Sequence, residues 1–307
     1  MKHLRIGTRG SELALWQARH VRWAVIAGNP GVQTDLEVIV TSADEAQGPP
    51  PAGTPAKAQF TKEIEDALLA GSVDLAVHSL KDMPIRLPEG LALAAVLERE
   101  DPADALITRT GAALEQLPEG AVILTGSARR AVQLRHWRPD LKIEPVRGNV
   151  PTRIRKFRQS QADGIVLAAA GLIRLGLAGQ ITQRLDPEDF LPACGQGALA
   201  VEVRADDHAV LALCQALNHP PTWTCVTAER AFLAALGSGC RAPVGAYARM
   251  RTGDGLPVLT GMVADAGGVR LVKRTAVGAA ADAVAAEDLG RRVADLVRAE
   301  GIEEMLA

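Results

Sequence analysis

The chain has 307 residues, 48% of them hydrophobic and 23% charged, and a formal net charge of −2 at pH 7. That length exceeds one ordinary core and implies two or three domains, and a near-neutral chain is not built for general nucleic-acid or membrane-surface binding. No uninterrupted apolar run reaches the roughly 18 residues of a membrane span, and Met1–Gly7 leads straight into a strand-like segment without a secretory apolar stretch, so the expectation is a cytoplasmic protein.

Strand and helix patterns alternate from the start. Leu4–Arg9 predicts a strand and Ser11–Ala27 an amphipathic helix with Leu13, Trp16, Val21, Ala24 and Val25 on its apolar side. Strands follow at Leu36–Thr41, Val73–Ser79 and Leu91–Leu97, with a helix at Phe60–Ala70. Between them, residues 42–58 carry three consecutive prolines, which exclude a helix or a central strand and mark a lid or a mobile insertion. A second cycle begins near Asp101. Ala105–Thr108, Ala121–Thr125, Lys142–Val146 and Ile165–Ala169 predict strands, and Ser127–Trp137 and Thr152–Gln159 helices; the last strand runs into Gly171–Leu177. Asp189–Gln196, rich in Pro and Gly, reads as a crossing between domains. From Thr222 the order changes to a helix up to Leu236, two or three strands beginning with Val244–Met250, and a long helix from about Ala281. The pattern predicts α/β architecture followed by a smaller α+β domain.

The candidate chemistry gathers at loops. Gly237-Ser238-Gly239-Cys240-Arg241-Ala242-Pro243 sets one thiol in a glycine loop, where the backbone turns sharply and the sulfur stays accessible. Cys194, Cys214 and Cys225 form no Cys-x-x-Cys pair with it or with each other, and no histidine pair has ligand spacing, so neither zinc nor, in a reducing compartment, a disulfide is expected. Arginines recur at strand-to-helix junctions: Arg9 before the N-cap Ser11, Arg129 and Arg130 after Thr125-Gly126-Ser127, Arg147 and Arg153 around Pro151, and Arg174. Arg129 and Arg130 stand about 100° apart around their helix and cannot both face solvent in the same direction. In open α/β sheets ligands collect beyond the carboxyl ends of the strands, and the guanidinium fork suits carboxylates, so the ligand is expected to carry many acidic groups. Asp82, in His78-Ser79-Leu80-Lys81-Asp82-Met83-Pro84 at a strand end, is the carboxylate placed to face a developing positive charge or to pass a proton.

Arg9–Ala18, His78–Pro84, Arg147–Val150, Leu191–Gly197 and Gly239–Gly245 together resemble hydroxymethylbilane synthase, or porphobilinogen deaminase, in order and spacing from Leu4 to near the C-terminus. The resemblance implies two periplasmic-binding-protein-like α/β domains and a third α+β domain: 1–98 with 197–217, 99–196, and 218–307. It implies head-to-tail polymerisation of porphobilinogen into hydroxymethylbilane, with release of ammonia, by a monomer without nucleic-acid or membrane partners. It implies a dipyrromethane cofactor held as a thioether on Cys240, with Asp82 as the catalytic carboxylate. Ser79, Lys81, Asp82, Thr125, Ser127, Arg129 and Arg130 match cofactor positions. Arg9, Ser11, Gln17, Arg147, Arg153 and Arg174 match positions around the incoming ring and growing chain, Phe60 an aromatic near the rings, and Gln196 a polar residue at the domain crossing. The chain departs from the family in the 42–59 segment, where Ser42 replaces a common arginine and Ala56-Lys57-Ala58-Gln59 a glycine-flanked lysine. Two other readings share some of these features. A non-catalytic solute receptor or effector-sensing domain would explain the α/β cycles but not the cysteine domain, and a cysteine acyl transferase would need a histidine partner for Cys240.

Overall fold

The computed structural model describes residues 3–42, 61–237 and 243–306. The predicted proline-rich loop with Phe60, and the cysteine loop with Cys240, lie outside the described residues.

Short β-rich runs bounded by glycine and proline become strands, and the longer runs with apolar residues at helical spacing become the helices that cover them. Strand β1 (His3–Thr8) is followed by α1 (Glu12–Gly28), which buries Gln17, Ala18, Val21 and Val25 against the sheet. Then come β2 (Gln33–Val38), α2 (Lys62–Leu69), β3 (Leu75–Ser79) and β4 (Leu91–Val96). The second cycle holds β5 (Asp104–Thr108), β6 (Val122–Leu124), α3 (Ala128–Trp137), β7 (Lys142–Glu144), α4 (Val150–Gln159), β8 (Gly164–Ala168), α5 (Ala169–Arg174) and β9 (Gln183–Leu185). After β10 (Leu199–Arg204) and α6 (His208–Gln215) the chain continues as α7 (Pro220–Leu236), β11 (Val244–Met250), β12 (Pro257–Ala264), β13 (Leu271–Val277), α8 (Ala283–Arg298) and α9 (Glu303–Leu306).

Two five-stranded sheets, β2-β1-β3-β10-β4 and β7-β6-β8-β5-β9, repeat one plan. In each, three parallel strands lie beside a reversed fourth: β10 is antiparallel to β3 and β4, and β5 to β8 and β9. The third sheet, β11-β12-β13, is a fully antiparallel meander covered by α8. The expected fold class is what the topology shows: two mixed α/β sheets with helices, and a small C-terminal α+β part.

The chain divides into two compact units, 1–99 with 198–223 and 100–197 with 224–307. The C-terminal part thus packs with the second α/β sheet, and Cys194 from the Asp189–Gln196 segment joins its core beside Phe232 and Val263. Glu229 fastens this segment from inside, since its fully buried carboxylate accepts from the backbone N–H of Gly195 at 2.7 Å and of Ala248 at 2.8 Å.

Three expectations are corrected. Strand β2 begins at Gln33 rather than Leu36, because its register is set by pairing with β1 from His3↔Gln33, and an edge strand tolerates polar residues. Strands β9 and β10 and helix α6 were absent from the sequence reading. Helix α4 starts at Val150, with Pro151 in its first turn, rather than at Thr152.

Candidate active site

In the first unit, the carboxyl ends of β1 and β3 meet the start of α1. Ser11 caps α1, its hydroxyl accepting from Ala14 N–H at 3.3 Å, as a side chain one turn ahead of that amide can. Gln17, one and a half turns further on, is buried and donates through Nε2 to Ser79 Oγ at 2.8 Å. Beyond Ser79 the chain tightens into a 3₁₀ turn, Leu80–Asp82, anchored by the buried side chains of Leu80 and Met83 and by Leu80 N–H donating to Ala198 O at 3.0 Å. Arg9, Ser11, Gln17, Thr61, His78, Ser79 and Asp82 line one pocket, with Leu13, Ala14 and Val77 as its apolar wall. Lys81, in the same turn, is half-buried.

In the second unit the loops after β6 and β7 are pressed together at Gly126. A Cβ there would stand 2.6 Å from the Val146 carbonyl oxygen, so only glycine fits, and Arg153 Nη1 lies 3.9 Å from the same point. Ser127 caps α3, accepting from Arg130 N–H at 3.4 Å, and its own N–H donates to Thr125 Oγ1 at 3.3 Å. Asn149 caps α4, accepting from Thr152 N–H at 3.0 Å. Gly148, at φ +119, lets Arg153 Nε donate to its carbonyl at 2.6 Å. Arg147 is exposed on this loop.

Arg129 and Arg130 point inward and converge on one carboxylate. Arg129 Nη1 lies 2.7 Å from Asp104 Oδ2 and also donates to Leu191 O. Arg130 Nε and Nη2 lie 2.8 and 2.7 Å from Asp104 Oδ1, and its Nη1 donates to Val166 O at 3.2 Å. Gln196 Nε2 donates to Asp104 Oδ1 at 2.9 Å. Burial by itself would raise the Asp104 carboxyl, but the two guanidinium charges and their hydrogen bonds outweigh it and hold the group well below the usual carboxylate range. Burial is the largest effect on Arg130, lowering it despite the Asp104 charge. Arg174 is also buried; it donates to Gly197 O at 2.7 Å, and desolvation pushes it down to about 10 against the opposing pull of Glu100.

Two guanidiniums facing one carboxylate leave a net positive charge in a buried place, and a second anion would neutralise it. Arg129 retains Nε and Nη2, which have no further partner among the described residues, whereas the donors of Arg130 are largely spent on Asp104 and Val166. The donor set therefore fits a ligand carboxylate, with Arg129 the more available of the two.

Sequence reasoning missed Asp104, Glu202 and Glu229. All three are fully buried carboxylates. A single acidic residue inside an otherwise apolar run, as in Leu199-Ala-Val-Glu-Val-Arg204, is the signal that could have raised Glu202.

Residues 4–212 match the family model described as porphobilinogen deaminase, dipyromethane cofactor binding domain, and residues 223–299 match the porphobilinogen deaminase C-terminal domain. The chain is 47% identical to a porphobilinogen deaminase of Nitratidesulfovibrio vulgaris, over 100% of this chain and 97% of that protein. It is 46% identical to one of Syntrophobacter fumaroxidans, over 98% and 97%, and 45% identical to one of Laribacter hongkongensis, over 100% and 98%. Among solved structures, a double mutant of the VFT2 domain of Bordetella pertussis BvgS aligns at a TM-score of 0.42 with 13% identity, covering 70% of this chain and 84% of that one. A TRAP periplasmic solute binding protein from Desulfovibrio salexigens aligns at 0.41 with 11% identity, covering 71% and 72%. Those scores are too low to add to the strand orders above. The two family models span both units and the C-terminal part, and with near-full-length relatives at 45–47% identity they place the chain in the porphobilinogen deaminase family.

Proposed function

We propose that the chain is a hydroxymethylbilane synthase, a transferase of tetrapyrrole biosynthesis that joins four porphobilinogen molecules head to tail. Each addition breaks the C–N bond of one aminomethyl group, releases ammonia, and forms a C–C bond to a pyrrole carbon that gives up its hydrogen as a proton. The observation that carries the reading is the paired family match, 4–212 and 223–299. A solute receptor or sensing domain would leave the second of these unaccounted for.

A dipyrromethane bound as a thioether to Cys240 supplies the free pyrrole carbon from which the chain grows. The other three thiols support Cys240 as its attachment point, because Cys194, Cys214 and Cys225 are all buried. Asp82, in the pocket with Arg9, Ser11, Gln17 and Ser79, faces the positive charge that substrate acquires as ammonia leaves. Lys81 lies beside it in the same turn. Ser127, at the start of α3 after Thr125, and Arg129, through Nε and Nη2, receive ring carboxylates; Arg130 holds Asp104 and with it the orientation of Arg129. Arg9, Arg147 and Arg153 pair with the acetate and propionate groups of the incoming ring and growing chain, since each ring brings two carboxylates. Arg174 and Gln196 contact the growing chain, and the family resemblance implies an aromatic contact from Phe60. A monomeric, cytoplasmic enzyme is part of this proposal; among the described residues no helix is long and apolar enough to cross a membrane.

The mass of the intact protein tests the reading. An excess of two linked pyrrole units is expected on the native chain and none on Cys240→Ser, because an un-ionised hydroxyl is a far poorer nucleophile than a thiolate at neutral pH. A native chain without the excess, or the same excess on Cys240→Ser or on Cys194, overturns it.

A further inference from the structure

Beneath the turn that carries Asp82 lie three buried titratable side chains for which the proposed reaction has no use. His78 and Glu202 stand on adjacent antiparallel strands, where Ala200 is opposite His78 and Glu202 opposite Ala76. An offset of two residues puts both on one face of the sheet as a diagonal pair, and His78 Nε2 lies 3.0 Å from Glu202 Oε2. Helix α2 closes this face, with Ile64 and Leu68 packed on Ala76 and Leu91, and adds Glu65 to the same layer. His78 is 5%, Glu202 0% and Glu65 7% exposed.

The surroundings of these groups are dry and short of partners. Glu65 Oε1, Thr61 Oγ1, both Glu202 carboxyl oxygens and His78 Nε2 have no aligned hydrogen-bond partner among the described residues, so His78 and Glu202 meet at ion-pair distance rather than through a well-directed hydrogen bond. Burial is the main effect on the Glu65 carboxyl and pushes it up; the nearby Thr61 side chain opposes the push, and Glu202 adds to it. Glu65 is thus the member pushed toward the neutral acid, and Glu202 is the one set opposite the imidazole. A ring rotation that removed His78 from Glu202 would leave a buried polar side chain facing an apolar layer, so the orientation that keeps them 3.0 Å apart is favoured. His78 is also among the residues that line the Asp82 pocket, next along the strand to Ser79, whose side chain and its bond from Gln17 lie on the other face.

We propose that Glu202 is a positioning residue for the deaminase reaction: it fixes His78 in the wall of the pocket, and through His78 it sets the orientation of the Ser79–Asp82 turn toward substrate. The proposal rests on reading that pocket as the deaminase site. Glu65, which burial pushes toward the neutral acid, closes the cluster on the α2 side.

The experiment compares Glu202→Leu, Glu202→Gln and His78→Gln with the native holoenzyme, using porphobilinogen as substrate. Primer content is read by intact mass, kcat and KM separately, kcat/KM from pH 6 to 9 (an interval of roughly the range over which side chains near neutrality titrate), and the His78 ring by ¹⁵N NMR. Glu202→Leu is expected to keep the primer, hold KM within about threefold, lower kcat about tenfold or more, displace the pH profile and change the His78 ring signals. Glu202→Gln keeps the shape and a polar group opposite Nε2 and should restore kcat to within about threefold of native. If Glu202→Leu does not fold, His78→Gln, which keeps a donor but no ring, carries the same expectation for kcat and pH profile. Native kcat and pH profile in the folded variant, with only the melting temperature lowered, overturn the proposal while leaving the functional reading intact. A native holoenzyme that fails to turn over porphobilinogen overturns both.

Discussion

Replacing Asp104 with asparagine removes one negative charge from the point where Arg129, Arg130 and Gln196 converge. The side chain keeps its volume, but one oxygen becomes an NH₂ group aimed at a guanidinium. The site is fully buried, and the donors stand 2.7 to 2.9 Å from the carboxylate oxygens, so water cannot replace what is lost. Breaking a buried ion pair by removing one partner costs about 3–5 kcal/mol, which is a large share of the roughly 5–15 kcal/mol that keeps a domain folded. Trp137 is a reporter in the same unit, because it packs edge-on against Phe190 at a ring separation of 5.2 Å. With Trp16, Trp23 and Trp223 replaced by phenylalanine, its fluorescence follows the unfolding of that unit in urea, which matters because a chain of two units need not unfold in one step. Native and variant are compared at equal primer content, since bound primer stabilises only the folded state. For urea slopes of about 1–3 kcal/mol per M, the midpoint should fall by about 1 M or more. A fall below about 0.3 M, on the same slopes, would refute the assignment of Asp104 as the hub. The pH dependence gives an independent check. Asp104 is held below its ordinary range when folded, so its contribution is fully present above that range and is lost as pH falls toward the folded value. Asp104→Asn lacks the contribution at every pH, and the stability gap between the two proteins should therefore narrow in acid.

Asp82→Asn preserves shape without charge; primer and substrate binding should survive while kcat falls about 10²–10⁴-fold, and turnover within about threefold of native would place the catalytic carboxylate elsewhere. Arg129→Leu should yield protein short of primer by intact mass, whereas Arg130→Leu should show lowered stability as well, because its donors hold Asp104 and Val166 O. Leucine at Arg9, Arg147 or Arg153 should leave primer attached and raise KM or stall elongation, each lost charge-assisted contact being worth about 1.5–3 kcal/mol. Equal primer loss in all five variants, seen in the mass and in the distribution of enzyme–substrate intermediates, would remove that division of roles.

The sequence by itself determined what depends on near neighbours. Ser11, Ser127 and Asn149 were legible as helix starts because a cap bonds an amide three residues ahead. Strand β11 was placed at Val244–Met250, the bounds observed, because its apolar run is bracketed by Pro243 and the Gly253–Gly255 turn. The motifs around Arg9, Asp82, Arg147 and Cys240 were enough to point to the family, and the family match agrees. Tertiary structure alone decided which buried charge faces which. Strand β10 went unread because Glu202 interrupts its apolar pattern, and its partner His78 belongs to a strand more than a hundred residues earlier. Asp104 looked like part of a loop before a strand, yet it gathers Arg129, Arg130 and Gln196. Arg129 and Arg130, legible only as a pair that could not face the same way, are both buried against that one carboxylate. A charge is tolerated in a core only beside its counter-charge, and spacing along a chain carries no record of what the fold brings alongside.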